Sequence, residues 1–130
     1  MTKVITIDDE PINHKIAHLI IGKNNLFDQY TGYTEALIAF EFIKDNQKNS
    51  QNLPDVILLD LNMPNVSGWD FLEMLSNISS DLNKKINVII VSSSIDDNDK
   101  KRSRDFPFVK GFISKPLSPA ILQETLNKIN

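Results

Sequence analysis

A chain of 130 residues with 41 % apolar side chains is large enough to bury one hydrophobic core without disulfides or structural metal. Its 14 basic and 17 acidic residues leave a net charge of −3. With no basic run longer than Lys100-Lys101-Arg102, that balance argues against nucleic acid as the main partner. There are no cysteines, so disulfides and thiolate sites are excluded, and no apolar stretch nears the roughly 20 residues that cross a bilayer. The chain enters a strand pattern directly, without a charged-then-apolar leader. The expectation is a soluble, cytoplasmic, single domain over residues 1–130, with no membrane partner.

Lys3-Val4-Ile5-Thr6-Ile7 reads as a β-branched strand that runs into Asp8-Asp9-Glu10-Pro11. Pro11 suits a first helical turn, where a missing N–H costs nothing. Ile12, Ile16, Leu19 and Ile20 then recur at helical spacing, and Gly22 is expected to stop the helix. Residues 26–31 form a weaker, more polar strand, suited to a sheet edge. Thr34 is expected to cap a second helix with Ala36, Leu37, Phe40 and Ile43 facing inward. Residues 45–52 read as a helix end and loop.

The most apolar stretch, Val56-Ile57-Leu58-Leu59, ends in Asp60-Leu61-Asn62-Met63-Pro64. A run so short and rich in Val, Ile and Leu predicts a strand buried on both faces. A loop to Gly68 leads to a third helix with Phe71, Leu72, Leu75 and Ile78 inward. Residues 87–91 give another apolar strand, which delivers Ser92-Ser93-Ser94. The segment 96–105 carries acids early and bases late, as a helix macrodipole favours, yet offers little apolar surface for docking. Residues 108–113 form a fifth strand that ends in Ser114-Lys115-Pro116. Ser118 then caps a last helix, with Pro119 in its first position and Ile121, Leu122, Thr125, Leu126 and Ile129 facing the core.

Five strands alternating with five helices predict an α/β fold, a parallel sheet covered by helices on both faces. In such a sheet all carboxyl ends share one edge, where ligands bind. That edge collects Asp8, Asp9, Asp60, Ser92 and Lys115. Crowded carboxylates repel one another unless a cation sits between them, and hard oxygens with no His or Cys nearby favour Mg²⁺. Lys115 offers a point positive charge and Ser92 a hydroxyl, both suited to a phosphoryl group. The chemistry suggested is attack by a carboxylate on phosphorus to give an aspartyl phosphate.

Asp8-Asp9, the run from Asp60 to Pro64 with Gly68, Ser92, and Lys115-Pro116 stand in the order and spacing of a known family. Over its full length the chain resembles a receiver domain of the response regulators of two-component signalling, similar to the chemotaxis receiver. The resemblance implies a flavodoxin-like (βα)5 sandwich with strand order 2-1-3-4-5. It implies that Asp60 is the phosphoacceptor, supplied by a sensor histidine kinase or a histidine phosphotransfer protein. It assigns Asp9 and Asp60 as direct Mg²⁺ ligands, Asp8 as one acting largely through water, and Asn62 as one through its backbone carbonyl. Lys115 would contact the phosphoryl group and precede a cis peptide to Pro116. Ser92, where the family often has Thr, and Phe112, where Tyr is commoner, would form the switch. Their movement would reshape the surface of the fourth helix, fifth strand and fifth helix for an unknown downstream protein. Asn62 and Ser94, two residues beyond Asp60 and Ser92, flank the path of attacking water and would tune the phosphate's lifetime.

Blander readings exist for each residue. Asp8-Asp9-Glu10 alone are ordinary acids near a helix start, and Asp60 alone is a capping residue. His14 and His18 have the spacing of a metal pair, but without a third ligand they read as a surface pair. Residues 96–105 read as a solvated helix face, and Trp69 and Phe71 as packing. Two alternative functions compete with this reading. A pseudo-receiver would bind partners without phosphorylation, but every site residue is retained. A phosphotransferase of the haloacid-dehalogenase type needs a second acid two positions after the nucleophile, where this chain has Asn62, and a cap domain for which it has no room. The expected protein is therefore a stand-alone switch that catalyses only its own phosphorylation and dephosphorylation.

Overall fold

Val56 to Leu59 form a strand in which all four side chains are buried. The reason is that both faces of the sheet are covered. Odd-numbered residues Ile57 and Leu59 join Ile5 and Ile7 in one core cluster, while Val56 and Leu58 join Val4 in another. The period-two alternation of a strand thus goes unseen in its sequence, because both sets must be apolar.

The computed structural model describes residues 3–129. Strands β1 (Lys3–Ile7), β2 (Gln29–Tyr33), β3 (Val56–Leu59), β4 (Asn87–Ser92) and β5 (Val109–Ser114) alternate with helices α1 (Pro11–Asn24), α2 (Ala36–Asp45), α3 (Gly68–Ile78), α4 (Asp97–Ser103) and α5 (Pro119–Ile129). A 3-10 turn at Ser79–Asp81 follows α3. The sheet is parallel with strand order β2-β1-β3-β4-β5, the flavodoxin-like (βα)5 arrangement expected. Ala17 and Ile21 of α1 and Leu122 of α5 close one core. Ala39 and Ile43 of α2, with Phe71, Leu72 and Leu75 of α3, close the other. No helix among the described residues is long and apolar enough to cross a membrane.

Several boundaries and faces differ from the sequence reading. β2 starts at Gln29 rather than residue 26, because its register is set by parallel pairing with Lys3 to Ile7 rather than by its own apolar content. It does lie at the sheet edge. α1 runs through Gly22 and stops at Asn25, whose left-handed φ of 51° ends the helix as glycine commonly does. Its buried residues are Ala17 and Ile21, whereas Ile12 and Leu19 are 57 % and 60 % exposed.

Thr34 does not cap α2. Glu35 holds that position without a capping side-chain bond, and Leu37 points to solvent. Ile121 of α5 is likewise exposed, one residue away from buried Leu122. α4 is shorter than the charged segment that contains it. It begins with a reciprocal capping box in which the Asp96 and Asp99 side chains each accept the other's main-chain N–H.

Candidate functional site

Three main-chain bonds carry the sheet pattern one residue past its strands and fix the site. Asp8 N–H donates to the Tyr33 carbonyl, Asp60 N–H to that of Ile7, and Lys115 N–H to that of Ser92, each at 3.0 Å. The ladder thereby aligns the first residue beyond β1, β3 and β5. Asp8 and Asp60 are buried polar residues, as is Ser92 at the end of β4, and Asp9 is half-buried.

Carboxylate oxygens of Asp8, Asp9 and Asp60 all lie within 4.8 Å of one another. A small octahedral cation holds its oxygens at about 2.1 Å, so opposite ligands stand roughly 4 Å apart. The three acids thus need only a slight closure to surround one. Lys115 Nζ is 2.8 Å from Asp8 Oδ2 and 3.5 Å from Asp60 Oδ2. One ammonium against three carboxylates leaves excess negative charge, and the donors are all hard oxygens. This set fits Mg²⁺.

The electrostatics follow from burial. Asp60 is pushed above the ordinary carboxyl range by loss of solvent, opposed by Lys115 and the Asn62 amide and reinforced by the Asp8 charge. Burial pulls the Lys115 ammonium down, but its hydrogen bond to Asp8 and the charges of Asp8 and Asp60 outweigh this and hold it above its usual value. The Lys115–Pro116 peptide is cis. Beside these groups a cavity of about 270 Å³ opens between α1 and the β5–α5 loop.

The remaining expected residues take separate places. Asn62 is exposed. Its N–H donates to Asp60 Oδ1 at 3.3 Å and its side-chain amide to Ser92 Oγ at 3.3 Å. Ser94 is exposed and makes no hydrogen bond to the acidic group. Phe112, opposite Ile90 on β5, packs half-buried against the core on the α2–α3 side.

Two residues of this neighbourhood, Asn13 and His14, have roles that the sequence reading does not give, whereas His18 is exposed as expected. The Asn13 side-chain amide donates to Asp8 Oδ2 at 3.1 Å. His14 is no surface residue: it is half-buried, and Nε2 lies 2.6 Å from the Asp8 carbonyl oxygen with Nδ1 3.3 Å from the Tyr30 hydroxyl. His18 is exposed and meets Tyr30 edge-on at 5.1 Å. The available signal was position, since Asn13 and His14 lie in the first turns of the helix that follows the acidic pair. The charged α4 face also has a partner, with the Arg102 guanidinium 4.5 Å above the Trp69 ring.

The family model of the response regulator receiver domain matches residues 4–127. Among curated proteins, the hybrid signal transduction histidine kinase I of Dictyostelium discoideum is 28 % identical over 125 residues, which are 96 % of this chain and 7 % of that protein. The two-component response regulator ORR1 of Oryza sativa subsp. japonica is 25 % identical, over 98 % of this chain and 54 % of its own length. The chain thus spans well under two thirds of either relative. A two-component response regulator from Cytophaga hutchinsonii superposes with a TM-score of 0.86 at 25 % identity, covering 98 % of this chain and 95 % of that one. The chemotaxis protein CheY4 of Vibrio cholerae gives 0.77 at 21 % identity, covering 100 % and 99 % of the two chains, a likeness of fold.

Proposed function

Because the chain belongs to the response regulator receiver domain family, we propose that it is a phosphorylation-controlled switch with Asp60 as its acceptor. The observation that carries this reading is the buried Asp60 carboxylate, 3.5 Å from Lys115 and inside a group of three acids. The donor is the phosphohistidine of a sensor histidine kinase or a histidine phosphotransfer protein. An Asp60 oxygen attacks phosphorus. The O–P bond forms as the P–N bond to the donor imidazole breaks, and the departing nitrogen takes a proton. Lys115 meets the phosphoryl oxygens with a positive charge that needs no reorganisation. Asp8, Asp9 and Asp60, with the Asn62 carbonyl, would hold Mg²⁺, which would supply charge neutralisation for the transfer.

Ser92 couples the event to the surface. Its hydroxyl now accepts from the Asn62 amide. Turning to a phosphoryl oxygen releases that bond and opens space for Phe112, which changes the face made by α4, β5 and α5 for a downstream protein. Asn62 and Ser94 set how quickly water removes the phosphate. The switch works in the cytoplasm, on no substrate but its own acyl phosphate.

Transfer from a phosphorylated histidine phosphotransfer protein tests this reading. Label should pass to this chain, be cleaved by hydroxylamine as an acyl phosphate is, and be absent in a folded Asp60→Asn variant. Steady turnover of a phosphate monoester such as p-nitrophenyl phosphate would instead point to a phosphatase. Label retained in Asp60→Asn would move the acceptor elsewhere.

A further inference from the structure

We propose that His14, seated by Gly32 and Tyr30, is a positioning residue that fixes the Asp8–Asp9 peptide plane and thereby sets the divalent-cation affinity of the acidic group. The inference rests on the reading that Asp8, Asp9 and Asp60 hold Mg²⁺.

The Asp8 carbonyl can only accept, so the His14 nitrogen 2.6 Å away must be Nε2–H, donating. In the neutral ring Nδ1 is then an acceptor, and the Tyr30 hydroxyl stands 3.3 Å from it and 3.3 Å from the His14 carbonyl. Burial, opposed by a Thr6 contact and reinforced by the Asp8 charge, raises the Tyr30 phenol's pKa and keeps it a donor. The single hydroxyl hydrogen is shared between the His14 carbonyl and Nδ1, so Tyr30 seats the ring while Nε2–H is committed to the Asp8 carbonyl.

The ring sits where β2 has no side chain. A Cβ on Gly32 would stand 2.5 Å from His14 Nδ1, 3.1 Å from Cε1 and 3.2 Å from the Tyr30 hydroxyl. Gly32 is thus the opening through which His14 reaches back to the end of β1.

What this bond controls follows from amide planarity. The Asp8 carbonyl is one edge of the rigid Asp8–Asp9 peptide unit, so holding it fixes the direction in which Asp9 leaves the strand. The Asp8 side chain is held separately, Oδ1 by the Glu10 N–H at 2.9 Å and Oδ2 by Asn13 and Lys115. Among the described residues, only His14 is seen to act on the main chain between the two acids. Groups that orient metal ligands in this way typically change affinity by 10–100-fold when removed.

Mg²⁺ binding is to be measured by calorimetry on the whole chain, with amide exchange at Glu10 followed in metal-free protein. His14→Phe keeps a ring but no donor, and should weaken binding about tenfold and speed Glu10 exchange. His14→Gln, whose amide can reach the same carbonyl, should recover much of both. Gly32→Ala should weaken binding similarly in the wild-type background. It should add little in His14→Ala, which has no ring to displace.

Wild-type affinity in a folded His14→Phe, or a full Gly32→Ala effect in the His14→Ala background, would overturn the inference while leaving the metal reading intact. If His14→Phe does not fold, the Gly32→Ala comparison in the two backgrounds decides. A wild type that binds no Mg²⁺ overturns both readings. Glu10 exchange equal in wild type and His14→Phe overturns the positioning by itself.

Discussion

Gly68 is packed against the main chain of Asp60. A Cβ at Gly68 would stand 2.5 Å from the Asp60 carbonyl oxygen and 2.7 Å from the Leu61 Cα. The Gly68 N–H also donates to the Leu61 carbonyl at 3.0 Å, so the start of α3 braces the segment that carries Asp60. Main-chain atoms cannot swing aside as a flexible side chain can. Gly68→Ala should therefore cost about 2 kcal/mol of stability and slow phosphorylation of Asp60 by shifting its carboxylate. Urea denaturation and the phosphorylation rate check the two effects together. An unaltered rate in a destabilised protein would separate this brace from the chemistry.

Asp60 carries a pH signature. Its folded pKa lies above the ordinary carboxyl value of 3.8, chiefly through burial. Stability linked to this group is complete below that value and is lost as pH rises through the raised folded pKa. Asp60→Asn removes the loss. In chelator it should be more stable than wild type at neutral pH, with the gap closing near pH 4. In Mg²⁺ the order should narrow or reverse, because an ion bound at the three acids would stabilise the wild type. Denaturation curves across pH 3–8 measure it, and a gap independent of pH contradicts the assignment.

Lys115 compensates two carboxylates at once, with side chains 17 % exposed for Lys115 and 5 % for each acid. Lys115→Ala should cost about 2 kcal/mol in chelator, since it leaves both acids unpaired. Mg²⁺ should restore most of that loss by supplying the missing charge. Asp60 should remain phosphorylatable, but partner affinity should no longer differ between phosphorylated and free forms. Melting curves with and without Mg²⁺, paired with a binding assay, test both limbs.

α4 has seven residues and buries only Ser103. Arg102 above Trp69 is thus a principal tie to the rest of the fold, and Trp69 in turn packs on Phe106. Arg102→Ala should lower global stability by less than about 1 kcal/mol, yet markedly speed amide exchange within α4. Exchange unchanged in α4 would mean that the capping box alone holds the helix.

Where the sequence was legible, local chemistry and tertiary need coincided. The apolar runs of β3 and β4 and the convergence of Asp8, Asp60 and Lys115 follow from patterns that a parallel sheet imposes, and Pro11 and Pro119 open their helices as a fixed φ favours. The misses arose where packing decided. Ala17 and Ile21 face the core of α1 while the larger Ile12 and Leu19 do not, so side-chain size was a poor guide to the inward stripe. Gly22 costs only about 1 kcal/mol inside a helix, too little to end one that Asn25 terminates better. His14 was unreadable in its role because its acceptor is a backbone carbonyl and its seat is an absent side chain on another strand.

The central claim is Mg²⁺-dependent acceptance of a phosphoryl group by Asp60. Intact mass after incubation with acetyl phosphate, in Mg²⁺ and in chelator, tests it most directly. The account predicts a gain of one phosphoryl group in Mg²⁺ alone, and no gain in a folded Asp60→Asn variant. No gain under any condition, or an equal gain in Asp60→Asn, would contradict it.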